Sequence, residues 1–134
     1  MRVVFDANVL IAAYAARGLC EATLELCIAN DDLFLTKTIL ADVREKLIRR
    51  IKLPAVTADE IVSFLKNNAE LVIPAAVPPG LCRDADDNDI LGAAKTAAAD
   101  YLITGDEDLL VIGDYAGAKI VKPRQYWEAF SRRT

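Results

Sequence analysis

Short runs of β-branched and aromatic residues alternate along the chain with longer segments whose apolar residues recur at helical spacing. The short runs predict strands at Val3–Phe5, Leu33–Leu35, Leu71–Ile73, Tyr101–Ile103 and Lys119–Val121. The longer segments predict helices at Val9–Arg17, Glu21–Asn30, Ile39–Arg50, Ala58–Asn68 and Asn88–Ala99, with a last helix from Pro123. Strands that alternate with helices are typical of a mostly parallel sheet covered by helices, so the predicted class is α/β.

Length and composition limit this fold to one domain that spans residues 1–134. The chain is 54% hydrophobic and 27% charged, which is enough apolar material for a packed core. Its longest apolar run, Val9–Ala16, is far shorter than the roughly 20 residues that cross a bilayer. Asp6 interrupts the segment in which a secretory signal would continue its apolar stretch. We therefore expect a soluble, cytoplasmic protein with no membrane partner.

The residue types and motifs that the chain lacks exclude several classes of catalytic and metal site. The chain has no histidine, which excludes histidine zinc sites, Ser-His-Asp triads and Cys-His dyads. Its three cysteines, Cys20, Cys27 and Cys82, form no Cys-x-x-Cys pair, and this pattern predicts small buried thiols in a reducing compartment. Carboxylates are the remaining candidates for chemistry.

Charge is distributed unevenly, although the net charge of −4 argues against a protein that simply coats nucleic acid. Eight of the 20 acidic residues lie between Asp84 and Asp108, where Lys95 is the one base. Five of the 16 basic residues lie between Arg44 and Lys52. The first segment is suited to binding cations, and the second is suited to binding anions.

Several acids stand at the ends of predicted strands or just before predicted helices. Asp6 directly follows the first strand, and Asp106 follows the fourth strand by three residues. Asp84, Asp86 and Asp87 precede the alanine-rich helix that leads into that fourth strand. A parallel sheet would bring these carboxylates to one edge, where they repel one another unless cations lie between them. Oxygen ligands favour Mg²⁺ or Mn²⁺ over zinc or copper.

Most of these acids also have a purely structural interpretation. Asp87 and Asp106 each stand where a helix or turn begins, and either side chain would cap it. Asp42 and Glu45 lie one helical turn before a basic residue, with which they would form ion pairs. Asp6 has no such structural role, because it ends a buried strand. The evidence for a site is therefore the joint pattern of the acids.

Four segments together resemble the PIN domain, and in particular its VapC-like branch of toxins from bacterial and archaeal toxin–antitoxin pairs. They are Phe5–Ile11, the helical acid near position 42, Asp84–Leu91 and Leu102–Leu110, and they occur in the order of that family. The resemblance implies a three-layer α/β fold with a central, mostly parallel, five-stranded sheet flanked by helices. It also implies a ribonuclease that depends on one or two Mg²⁺ or Mn²⁺ ions and hydrolyses RNA phosphodiester bonds.

Carried over residue by residue, the resemblance assigns the metal-binding and catalytic carboxylates to Asp6, Asp42, Asp87 and Asp106. The family usually has glutamate where this chain has Asp42, and Glu45, one turn further along, is an alternative ligand. Three other residues, Asn8, Thr104 and Asp84, are expected to orient these carboxylates or water.

Partners also follow from the resemblance. The substrate would be RNA, and Arg44, Arg49 and Arg50 would bind its phosphates, unless the basic stretch is simply a solvated helix face. A cognate antitoxin protein would cover the acidic groove, and the chain would form a homodimer.

Other protein classes also place an aspartate after the first strand. A haloacid-dehalogenase-type phosphatase needs a second acid two residues later, where this chain has Asn8. A phospho-receiver domain needs an aspartate at the end of its central strand, but Leu71–Ile73 continues into Pro74. One alternative remains, a PIN fold that binds RNA or a partner protein without cutting. Metal-dependent turnover separates it from the nuclease.

Overall fold

The computed structural model describes residues 1–82 and 84–133, and of Asp86 it describes the backbone alone, so the expectation for that carboxylate lies outside the described residues. The described strands are β1 (Arg2–Phe5), β2 (Asp32–Leu35), β3 (Ala69–Leu71), β4 (Tyr101–Ile103), β5 (Asp114–Tyr115) and β6 (Ala118–Val121). The described helices are α1 (Ala7–Ala15), α2 (Leu19–Asn30), α3 (Lys37–Arg49), α4 (Ala55–Asn67), α5 (Ala85–Thr96), α6 (Glu107–Leu110) and α7 (Pro123–Ser131).

The strands form one sheet in the order β3-β2-β1-β4-β6-β5, and every neighbouring pair is parallel except β5 with β6. This confirms the predicted mostly parallel α/β architecture, with six strands in place of five. The additional strand, β5, has two residues and joins β6 through Ala116 and Gly117, which both have positive φ. Two such residues are the signature of a tight hairpin turn. A two-residue strand is too short to leave a periodic pattern in the sequence.

Strand β1 lies in the middle of the sheet and is paired on both sides. Its residues Val3, Val4 and Phe5 are fully buried, as expected for a parallel strand covered on both faces. Strands β2 and β3 lie on one side of β1, and β4 and β6, which come later in the chain, lie on the other side. Strand order therefore reverses between β1 and β4, which is where ligands bind in open α/β sheets.

Most helices begin two or three residues before their predicted start, and β3 and α5 are among the elements that are shifted at both ends. Strand β3 ends at Leu71, which pairs with Leu35, whereas Ile73 lies beyond the strand and is 85% exposed. Helix α5 begins at Ala85 rather than Asn88 and ends at Thr96. Both differences arise because pairing and packing partners, rather than local periodicity, set where an element begins and ends.

The buried apolar side chains form one continuous cluster. Cys27 is fully buried within it, whereas Cys20 and Cys82 are partly exposed, and all three thiols are unpaired. None of the helices in the described ranges is long and apolar enough to cross a bilayer.

A buried ionic cluster fastens α7 to the end of α2. The Asp31 side chain is 1% exposed and accepts two hydrogen bonds from the Arg133 guanidinium, at 2.8 and 3.0 Å. The Tyr126 hydroxyl donates a further hydrogen bond to Asp31. Although burial alone disfavours its charged form, these donors hold the pKa of Asp31 below its usual value.

Candidate metal centre

Asp6 and Thr104 meet at the reversal point between β1 and β4. Asp6 stands at the N-cap of α1, yet its side chain makes no capping hydrogen bond there. Instead, the buried Thr104 hydroxyl donates to Asp6 Oδ2 at 2.7 Å, and the Asp106 backbone N–H donates to Thr104 Oγ1 at 3.0 Å. Thr104 thereby fixes the Asp6 carboxylate relative to the loop that carries Asp106.

Three carboxylates converge next to this bridge. Asp87, Asp106 and Asp108 each offer an oxygen atom, and the three oxygens lie within 4.8 Å of one another. Asp87 is the third residue of α5, whereas Asp106 caps α6 by accepting a hydrogen bond from the Asp108 N–H at 2.9 Å. The capping role proposed for Asp106 is therefore observed, and the cap directs this loop toward Asp87.

Sequence reasoning missed Asp108. Its signal is the spacing Asp106-Glu107-Asp108, which places a second carboxylate in the first turn of the helix that Asp106 caps. The pattern is common at helix starts, because acids there interact favourably with the helix dipole, and so it does not single out a metal ligand.

The electrostatics of this group are unusual for acids. Asp87 is 8% exposed, and burial together with the neighbouring charge of Asp106 raises its pKa to about 7. Burial also raises the pKa of Asp6, and the charges of Asp106 and Asp42 add to that rise. Burial and neighbouring carboxylates therefore disfavour the charged forms of Asp6 and Asp87 in the metal-free protein.

A cleft of about 270 Å³ extends from Asp6 toward α3. Asp42, Glu45 and Asp89 line it together with Asp6, and Asp89 is a second acid that sequence reasoning did not select. Asp42 and Glu45, the two candidates on α3 for the second metal ligand, therefore line the same cleft. Asp42 is the one whose charge acts on the pKa of Asp6, which favours it over Glu45.

Ion pairs tie the two α3 acids to bases one turn along the helix. Lys46 Nζ lies 2.9 Å from one oxygen of Asp42 and 3.1 Å from the other. Arg49 Nη1 lies 3.0 Å from Glu45 Oε1. These contacts match the structural interpretation of the two acids, but a side chain that pairs in the absence of a metal remains available as a ligand.

The other predicted site residues lie around this centre. Asn8 is exposed in the first turn of α1, and Asp84 is exposed just before α5, where its charge contributes to the raised pKa of Asp87. Arg44 binds Asp59 of α4 at 2.6 Å, and Arg50 is exposed at the end of α3.

The chemistry of the converging atoms fits a hard divalent cation. Carboxylate oxygens alone converge in the three-acid group, and oxygen ligands are those that Mg²⁺ and Mn²⁺ prefer. Burial and, after it, the neighbouring carboxylates raise the pKa values of Asp6 and Asp87, and a divalent ion beside them would stabilise their charged forms. The fold and this group define an α/β protein with a candidate divalent-cation site at the reversal point of its sheet.

Comparison with known proteins identifies the family. The PIN domain family model matches residues 2–108, so the chain belongs to the PIN domain family. The fold resembles a chain in the crystal structure of VapBC2 from Rickettsia felis bound to a DNA fragment from their promoter, with a TM-score of 0.63. That similarity covers 90% of this chain and 98% of the other at 14% sequence identity. No curated protein sequence matches this chain.

Proposed function

We propose that this PIN domain is a Mg²⁺- or Mn²⁺-dependent endoribonuclease and the toxin of a toxin–antitoxin pair. The observation that carries the proposal is the convergence of Asp87, Asp106 and Asp108 beside Asp6, at the point where the strand order of the sheet reverses. An acidic site of this kind would repel RNA until a cation binds. The geometry therefore supports an activity that depends on a metal.

The ligands in this proposal are Asp6, Asp87 and Asp106, with Asp108 as an added candidate and Asp42 ahead of Glu45 as the second acid. A bound divalent ion would supply an acidified water and would neutralise charge on the RNA phosphate. Thr104 holds Asp6 in place through its hydroxyl, and in this proposal Asn8 and Asp84 orient water or ligands. Arg44, Arg49 and Arg50 would bind phosphates along α3.

A second surface supports an antitoxin as the partner. A groove of about 460 Å³ between α1, α2 and α4 has an apolar floor that includes Tyr14 and Phe64. Its rim carries Glu21, Glu25 and Glu60, and the residues that line it include no base. This surface is complementary to an amphipathic helix with basic flanks, and the structurally similar VapBC2 was crystallised as a complex. We propose that such an antitoxin helix binds there, that the toxin acts in the cytoplasm, and that it forms a homodimer.

The test of the activity is cleavage of a labelled single-stranded RNA by the purified protein in Mg²⁺, in Mn²⁺ and in EDTA. We expect cleavage that requires metal and disappears in Asp6→Asn. The matched control is Glu70→Gln, because Glu70 is an exposed acid on β3, at an edge of the sheet. Folded protein that binds Mn²⁺ but cuts no RNA would favour a narrow RNA specificity, whereas folded protein that binds no metal would favour a PIN fold that binds RNA or a partner without cutting.

A further inference from the structure

We propose that Lys46 is a built-in counter-cation of the second acid. In this proposal, which rests on the proposed ribonuclease function, its ammonium group neutralises Asp42 until a divalent ion takes that carboxylate. Lys46 then turns to a phosphate of the RNA. Lys46 would thus exchange the Asp42 carboxylate for an RNA phosphate when the metal and the RNA bind.

The first observation is the partner of each of the three bases in the second half of α3. Arg44 pairs with Asp59 of α4, and Arg49 pairs with Glu45, whereas Lys46 pairs with Asp42, whose charge reaches Asp6. Lys46 Nζ is close to both Asp42 oxygens, at 2.9 and 3.1 Å, so it covers the atoms that a metal would need. Lys46 is therefore the α3 base placed to compete with a metal for the second acid.

Burial separates this pair from its neighbour on the same helix. The side chains of Lys46 and Asp42 are 32% and 36% exposed, whereas those of Arg49 and Glu45 are 77% and 58% exposed. Less exposed charges are screened less by water and salt, so the Lys46 pair is the stronger of the two. A metal ion that binds Asp42 therefore has to displace the Lys46 ammonium group as well as water.

A bound metal weakens the attraction that holds Lys46 at Asp42. Without metal, Asp42 and Asp6 interact unfavourably, and the ammonium group on Asp42 reduces that repulsion. With a divalent ion on the carboxylates, the same ammonium group faces a like charge. Its flexible four-carbon chain allows it to move to a nearby anion, and a phosphate is the anion that an RNA substrate brings.

The decisive measurement is Mn²⁺ affinity without RNA, by isothermal titration calorimetry, in wild type, Lys46→Met and Arg49→Met. Removal of a competing cation should tighten Mn²⁺ binding about two- to fivefold in Lys46→Met. Arg49→Met removes the equivalent, more exposed pair and should leave the affinity unchanged. The effect of Lys46→Met should also vanish in an Asp42→Asn background, because the two residues act through one contact.

Unchanged or weaker Mn²⁺ binding in Lys46→Met would overturn the proposal, and so would tighter binding in Arg49→Met alone, which would make Glu45 the second ligand. A structural role of Lys46 would lower the Tm and leave the affinity for Mn²⁺ as it is. Because this arm uses the metal alone, its result is independent of whether the protein cleaves RNA.

The second part of the proposal, in which Lys46 moves to an RNA phosphate, is tested by a separate measurement. In RNA cleavage, Lys46→Met should raise KM and reduce the salt dependence of kcat/KM by about one phosphate contact. Lys46→Arg should restore most of both, since it keeps the positive charge. A salt dependence equal to that of wild type would refute this part of the proposal.

Discussion

Asp31 and Asp87 both have buried side chains, but their pKa values are shifted in opposite directions. Asp31 receives hydrogen bonds from the Arg133 guanidinium and the Tyr126 hydroxyl, and its pKa is lowered. Asp87 has Asp106 and Asp108 beside it, and its pKa is raised to about 7. Burial is similar, so the difference lies in the neighbours that the fold provides.

The comparison shows how a structural acid differs from a site for an external cation. An acid whose positive partners belong to the chain contributes to folding and needs nothing more. An acid whose nearest neighbours are other acids lowers the stability of the empty protein, and a bound cation relieves that repulsion. The two regions should therefore respond differently to mutation, metal and pH.

The largest expected effect is on activity at the metal centre. Asp87→Asn removes a charged ligand, and we expect RNA cleavage to fall by more than about a hundredfold, since partners of metal ligands alone cost 10–100-fold. The same variant should raise the Tm of the metal-free protein, because it removes repulsion with Asp106. A fall in the metal-free Tm would contradict the comparison, since Asp87 would then act as Asp31 does.

Asp31 should give the reverse pattern. Asp31→Asn leaves the partly exposed Arg133 guanidinium without its anion, and we expect a loss of about 1–3 kcal/mol in the free energy of unfolding, measured in urea. Mn²⁺ affinity, measured separately by calorimetry, should stay as in wild type. A large change in that affinity would show that the two regions are coupled.

Thr104→Val tests the bridge between Asp6 and the Asp106 loop. Loss of the hydroxyl removes both hydrogen bonds, and we expect cleavage to fall about 10- to 100-fold, as for other groups that orient metal ligands. Thr104→Ser keeps the hydroxyl and serves as the control. Equal activity of the valine and serine variants would exclude an orienting role.

The smallest effect is on the pH dependence of stability. A raised pKa means that folded Asp87 binds a proton more readily than in the unfolded chain, so stability of the metal-free protein should fall as pH rises from about 4 to 7. The lowered pKa of Asp31 acts in the opposite sense and below about pH 4. Thermal melts in EDTA should show a decline that Asp87→Asn flattens. A decline of the same size in that variant would assign it to other groups.

Prediction from sequence succeeded where one local pattern was sufficient. The apolar runs located β1, β2, β4 and β6, and the position of Asp6 after β1 indicated the edge where ligands bind. The PIN resemblance, confirmed by the family match, supplied the order of the acidic motifs. Prediction from local pattern was less accurate for β3 and missed β5, because pairing with a neighbouring strand defines both elements.

Pattern and residue type therefore determined the α/β class, the mostly parallel topology and the candidate acids Asp6, Asp87 and Asp106, since these depend on spacing along the chain. The folded arrangement alone showed that Asp108 joins Asp87 and Asp106, and that Asp31 is neutralised by Arg133. The physical reason is that the charge state of a carboxylate depends on distances of a few ångströms. Residues far apart in the chain set those distances, and local sequence carries no record of them.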